Sequence, residues 1–240
     1  MSKVEHTEVH RLPNSRFTRV LKAILRPFYR RKVYGTENID SSGAAVFACN
    51  HARTSGPVSA IMHLPVHFRP WINACMLDRE EATGTMMRTF RDKFTFLGTG
   101  TKRKLIRWIT GPVCHILNSF EPIPVYKGMP KESAGTIDLS VDALERGDNL
   151  LIFPEKPRDR YDRESYKDFN TGFAALGRAM YDRTGKCLDF YPVWTDQKKH
   201  EMRIGKPVTF DPSADPRAEK MRISAELRDR MSGLKEACNS

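Results

Sequence analysis

Short apolar runs alternate along the chain with stretches in which apolar residues recur every three or four positions, a pattern that predicts βαβ units around a largely parallel sheet. The runs at 44–49, 72–76, 123–126, 149–153, 188–194 and 202–210 predict strands. Between them, 58–64 predicts a helix, Ile137, Val141 and Leu144 mark another that stops at Gly147, and 173–181 predicts a third ending before Gly185. Asp215 followed by Pro216 reads as the N-cap and first residue of a last helix over 216–234. The stretch 99–107 carries Lys102, Arg103, Lys104 and Arg107 beside two glycines, and it predicts either a mobile loop or membrane-facing patch, or simply a solvated helix start. No repeat, low-complexity tract or linker breaks the series, so the expected architecture is a single α/β domain with a largely parallel central sheet flanked by helices.

The start of the chain follows a different pattern. From 16 to 32 there are seven basic residues, Arg16, Arg19, Lys22, Arg26, Arg30, Arg31 and Lys32, and no acid. Phe17, Val20, Leu21, Ile24, Leu25 and Phe28 recur there at helical spacing, giving one apolar and one basic face, with Pro27 as a kink or restart. This is the build of an interfacial membrane helix, and 1–33 is expected to be a membrane-associating segment ahead of an α/β domain at 34–240. The plainer alternative is a helix whose apolar stripe packs on the protein's own core.

Forty Lys and Arg against twenty-nine Asp and Glu give a net charge of +11, which points to a polyanionic partner. Nucleic acid is not expected, because neither zinc-finger spacing nor an aromatic RNP-type motif accompanies the charge. The longest pure apolar run, 44–49, has six residues, well short of the roughly 18 or more that a span requires. The polar first ten residues contain no apolar core of a secretory signal. Five scattered cysteines without Cys-x-x-Cys spacing suit a reducing compartment and predict neither a disulfide framework nor a metal site. The expected location is therefore cytoplasmic, peripheral on the inner face of the membrane.

Two strand ends carry the candidate chemistry. The run 44–49 ends in Asn50-His51, and the run 149–153 leads into Pro154-Glu155 and then a crowd of charges that includes Lys156 and Arg158. Loops that follow the strands of an α/β sheet are where chemistry is usually placed, since the sheet fixes where each loop begins. Further blocks occur in order: Tyr34-Gly35-Thr36-Glu37-Asn38, Glu121-Pro122-Ile123-Pro124-Val125-Tyr126-Lys127, Phe169-Asn170-Thr171-Gly172, Tyr191-Pro192-Val193 and Ile204-Gly205-Lys206-Pro207. With these blocks the chain resembles the glycerolipid acyltransferases that acylate lysophosphatidic acid and related lysolipids. Asn50-His51 is similar to the start of that family's Asn-His-x-x-x-x-Asp signature, and 153–158 to its Phe-Pro-Glu-Gly-x-Arg block.

The resemblance implies that His51 is the general base acting directly on the acceptor hydroxyl, a role that suits an imidazole with an unperturbed pKa of about 6.5. It also implies that Lys127 and Arg158 hold the acceptor phosphate and that Glu155 shapes the acceptor site, while Lys156, read from its charge alone, either adds a third cation or is a surface lysine of a charged loop. Acyl-CoA or acyl carrier protein would be the donor, a lysophospholipid or related molecule the acceptor, and no cofactor or metal is implied. The sequence departs from the pattern at Gly56, where the family has Asp, at Lys156, where it has Gly, and at Lys127, where it has Arg. The missing Asp would orient the imidazole. Three arrangements fit its absence: Asp78 or Glu155 takes over, a backbone carbonyl or Ser55 does so, or the protein binds lipid or acyl thioester without turnover. Restoring the carboxylate by Gly56→Asp is expected to raise a residual rate, provided that the backbone ahead of Pro57 accepts a side chain.

Overall fold

In a computed structural model the described residues are 30–40, 42–51, 55–91, 96, 98–126, 130–155 and 169–239. They form one mixed, mostly parallel sheet in an α/β domain. Its strands are β1 (Lys32–Tyr34), β2 (Val46–Cys49), β3 (Phe68–Asn73), β4 (Ile123–Val125), β5 (Asn149–Ile152), β6 (Asp189–Asp196), β7 (Glu201–Ile204) and β8 (Val208–Thr209), and the spatial order is β1-β7-β6-β2-β5-β3-β4 with β8 beside β6. The helices are α1 (Ser55–His63), α2 (Arg79–Thr89), α3 (Thr99–Asn118), α4 (Pro130–Glu145), α5 (Ala175–Thr184) and α6 (Pro216–Asn239).

The central strands read as nearly unbroken apolar runs because both of their faces are covered. Alternation splits each strand between the two faces. Val46, Ala48, Leu150, Ile152, Phe190 and Trp194 face one side and meet Val141 and Leu144 of α4, Leu176 and Met180 of α5, and Ile223, Leu227 and Met231 of α6. Phe47, Cys49, Leu151, Tyr191 and Val193 face the other, with Ala60 of α1 and Met202 and Ile204 of β7. The rings of Phe47 and Tyr191 stack there at 5.0 Å, and the Tyr191 hydroxyl accepts from the Asp40 N–H at 3.0 Å. The helix ends use the expected chemistry: Gly185 at φ 71° closes α5, and Asp215 Oδ1 accepts from the N–H groups of Arg217 and Ala218 at 3.1 and 2.9 Å to cap α6.

The structure departs from several sequence expectations. The third strand lies at Phe68–Asn73 rather than 72–76, because the Asn73 side chain accepts from the Cys75 N–H and turns 74–76 into a 3-10 helix. The run 202–210 is two strands, broken at 205–207, where the Gly205 N–H donates to Pro192 O. Residues 99–107 form no loop; the alternative of a helix start holds, and they open the 20-residue helix α3. Lys32, expected at the end of the basic helix, instead begins β1. Arg30 and Arg31, expected in the same helix, take no regular structure, and the remainder of the segment, 1–29, lies outside the described residues.

Candidate active site

Strand register brings the separate sequence blocks onto one line. Extending the pairs Ala48↔Ile152 and Cys49↔Val193 sets His51 level with Glu155 on one side and with Thr195 on the other. The pairs Pro70↔Leu151 and Asn73↔Val125 carry the same line to Ala74 and Tyr126. All of these positions stand at the carboxyl ends of parallel strands, the edge where open α/β sheets bind their ligands.

Asn50 explains why the line is sharp. Its side chain is buried, with Oδ1 accepting from the Thr195 N–H at 2.7 Å and the Thr195 hydroxyl at 3.0 Å, while Nδ2 donates to Thr195 O at 3.1 Å. The carboxamide acts as one more peptide group, adding a rung between β2 and β6 after the main chain has turned away. His51 therefore leaves the sheet from a fixed point. Its backbone N–H donates to Glu155 Oε2 at 3.0 Å, and its ring meets that of Phe153 edge to face at 5.5 Å. His51 is exposed at this edge.

Glu155 pairs with Phe169 in an isolated antiparallel bridge, and the Asn170 N–H donates to Pro154 O at 2.8 Å. The chain that leaves with Lys156 and Arg158 thus departs from, and returns to, a point beside His51. Lys156 and Arg158 themselves lie outside the described residues. So does Lys127, which follows Tyr126 at the end of β4, three strand places or about 14 Å along the edge from β2.

The neighbours of His51 narrow the chemistry. Burial, reinforced by the charge of Glu155, pushes the Cys49 thiol far above its usual range, so this cysteine stays protonated and is a poor nucleophile. Asp78 does not take over the missing carboxylate: its Oδ1 accepts from the N–H groups of Glu80 and Glu81 at 2.9 Å and caps α2. Glu155 does reach His51, through the backbone N–H. The side chain of Ser55 lies outside the described residues. Gly56 is excluded as a place for a carboxylate. Its N–H donates to His51 O at 3.2 Å, and a Cβ there would sit 2.2 Å from Asn50 O and 2.4 Å from His51 O. The constraint is close backbone approach, since Gly56 is not among the glycines of positive φ. The first turn of α1 winds tightly onto the end of β2, so the expectation that Gly56→Asp restores a partner for His51 fails on space.

Sequence reading passed over Thr195, placed Arg31 on the basic amino-terminal helix, gave Phe153 no contact with His51, and did not recognise Asn50 as a positioning residue. The signal for Asn50 was present as a polar carboxamide closing an apolar run. Arg31 gave no such signal; its Nη1 donates to Asp196 O, one residue beyond the line, and burial draws its guanidinium below the usual value although Asp196 opposes this.

No family model matches the chain, and no curated protein sequence matches it. The fold is nevertheless similar to that of a solved structure, the 1-acyl-sn-glycerophosphate (LPA) acyltransferase PlsC from Thermotoga maritima, with a TM-score of 0.51 over 91% of this chain and 78% of that one. At 11% identity the likeness is one of fold. Among the described residues no helix is long and apolar enough to cross a membrane, and no group of His, Cys, Asp and Glu could hold a metal ion.

Proposed function

We propose that the protein is an acyltransferase that moves a fatty acyl chain from acyl-CoA or acyl carrier protein to the hydroxyl of a lysophospholipid or related glycerol-phosphate acceptor, working at a membrane surface that its first 33 residues engage. The observation that carries this reading is the union of two distant sequence blocks at one sheet edge, with Glu155 Oε2 holding the backbone of His51 at 3.0 Å. The same fold in a lysophosphatidic acid acyltransferase supports it.

In this reading His51 takes the acceptor's hydroxyl proton as the oxygen attacks the thioester carbonyl. The carbon–sulfur bond then breaks, and the departing thiolate is protonated from the imidazolium. The Glu155 carboxylate, held against the backbone N–H of His51, supplies a negative charge beside that imidazolium. Lys127, Lys156 and Arg158 hold the acceptor phosphate, Arg158 with a guanidinium fork.

The closeness of Gly56 to Asn50 O and His51 O favours a second reading, a relative that binds lipid or acyl thioester without turnover. One experiment separates the two: incubation with a radiolabelled acyl donor and a panel of lysophospholipids, paired with calorimetry of acyl-CoA binding. Transfer that falls by about a hundredfold or more in His51→Ala is the expected result. Because the His51 side chain is exposed, the variant should fold as the wild type does. Equal activity in the two proteins would remove His51 from the chemistry, whereas tight donor binding with no product across the panel would establish the second reading.

A further inference from the structure

Helices α2 and α3 form an antiparallel hairpin outside the core. None of their residues belongs to either apolar cluster of the sheet. They meet through small and polar groups: Ala82 and Ile106 are buried between them, the hydroxyls of Thr83 and Thr110 lie 2.8 Å apart, and Lys102 Nζ donates to Phe90 O and Arg91 O at 2.7 and 2.9 Å. Three apolar residues in the first half of α3 point the other way. Trp108 is 73% exposed, Ile109 43% and Leu105 36%. Their spacing of i, i+3 and i+4 gathers them on one outward face, and Lys104 is exposed on the turn before Trp108. Soluble surfaces seldom show a tryptophan so fully, and an apolar group of this kind marks an interaction site.

Charge chooses the partner. Residues 93–120 contain no Asp or Glu, while α3 carries Lys102, Arg103, Lys104 and Arg107. Arg103 and Arg107 are drawn sideways to Glu80 of α2, at 3.5 and 2.8 Å. A second copy of this chain is a poor occupant, because a two-fold contact sets the same net cationic face against itself while Glu80 is already engaged by Arg103 and Arg107. An anionic bilayer satisfies both features at once: tryptophan and aliphatic side chains enter the headgroup boundary while lysine meets the surface potential.

Position supports the same occupant. The hairpin springs from the sheet edge that bears His51, through β3 and the turn Ala74–Met76, and Asn118 Nδ2 ties the foot of α3 to Leu77 O at 3.0 Å. The chain that precedes Lys32 enters the sheet at that edge too, where the Lys32 N–H donates to His200 O beside Asp196. We infer that the outward face of α3, formed by Leu105, Trp108 and Ile109 with Lys104, docks on an anionic phospholipid surface. This contact is additional to the amino-terminal segment and independent of any catalytic role for His51.

Trp108 supplies its own probe. Trp194 is buried and Trp71 is partly buried with its indole N–H donating to Ser140, so of the three tryptophans Trp108 alone meets solvent freely. The full-length protein is titrated with vesicles of phosphatidylcholine alone, or mixed equally with phosphatidylglycerol, with and without brominated acyl chains. The expected result is a blue shift and bromine quenching with the anionic vesicles only, both absent in Trp108→Phe, and binding about tenfold weaker in Leu105→Ser/Ile109→Ser. Vesicle binding with unshifted, unquenched emission would overturn the inference and leave the contact to the amino-terminal segment. Equal response to neutral vesicles would overturn the anionic partner, and a lipid-free blue shift that grows with protein concentration alongside dimerisation would replace the membrane with a second copy.

Discussion

The sheet and the α2–α3 hairpin dispose of their apolar residues in opposite ways. In β2, β5 and β6 the side chains of Phe47, Leu150, Leu151, Phe190 and Tyr191 are essentially without solvent contact, and the strands between them are held in a single register. In the hairpin the buried side chains are Ala82, Thr83, Lys102, Ile106, Thr110 and Cys114, while tryptophan and leucine face outward. A core packed on both faces tolerates little displacement, and this is what allows a strand end to present His51 at a fixed place. The hairpin's exposed face lies outside both apolar clusters of the sheet, which leaves it available to a partner.

The comparison makes its largest prediction at the tip of β2, where rigidity should permit no new atoms. Gly56→Asp inserts a side chain into space held by Asn50 O and His51 O, and it is expected to destabilise the protein by about 3 kcal/mol, the upper range for forced overpacking, with no gain in acyl transfer. Urea denaturation followed by circular dichroism checks the first expectation and the radiolabelled assay the second. A stable variant with raised activity would show that the strand end yields more readily than its close contacts imply.

The next effect is smaller and tests the rung that Asn50 adds. Asn50→Ala removes all three hydrogen bonds to Thr195 and leaves buried peptide groups without partners, a loss of about 2 kcal/mol. Because the rung also sets where His51 departs, acyl transfer should fall further than the loss of folded protein explains, with kcat reduced more than KM. Activity that tracks only the folded fraction would confine Asn50 to stability.

These two positions also show where the sequence was readable. The end of β2 at Cys49 was visible because its apolar run stops at Asn50, the end of β5 was placed one residue late, at Phe153 rather than Ile152, and the order of blocks indicated that the two converge. The reason for glycine at position 56 was not visible, since close approach of two carbonyls depends on how α1 winds back on β2. The α2 helix escaped detection for a different reason. Arg79–Thr89 presents Ala82 and Thr83 to its partner and includes Gly84, so no apolar period announces it. Pro70 in β3 concealed the start of that strand in a similar way, while Asn73 ended it earlier than the apolar pattern suggested. Of the proposed phosphate cations, the sequence supplied the identities, and the structure fixes only the strand ends from which they follow.

The smallest expected effect sharpens the contrast within a single helix. Leu105 and Ile106 are adjacent in α3, yet Leu105 is 36% exposed and Ile106 only 4%. Ile106→Ala opens a gap between α2 and α3, and because neighbours such as Ala82 and Thr83 are small and cannot close it, the variant should lose about 2 kcal/mol or somewhat more. Leu105→Ser removes an apolar side chain that is about a third exposed and lies outside both apolar clusters of the sheet, beside the more exposed Trp108 and Ile109. Its stability should fall by no more than about 1 kcal/mol, less than the loss in Ile106→Ala. Thermal and urea unfolding of the two single variants measure the difference directly. If Leu105→Ser proves as destabilising as Ile106→Ala, the outer face of α3 is supporting the fold and the hairpin obeys the same rule as the sheet. If it is neutral, the stripe has no structural task, and any loss of vesicle binding in the same variant belongs to the surface alone.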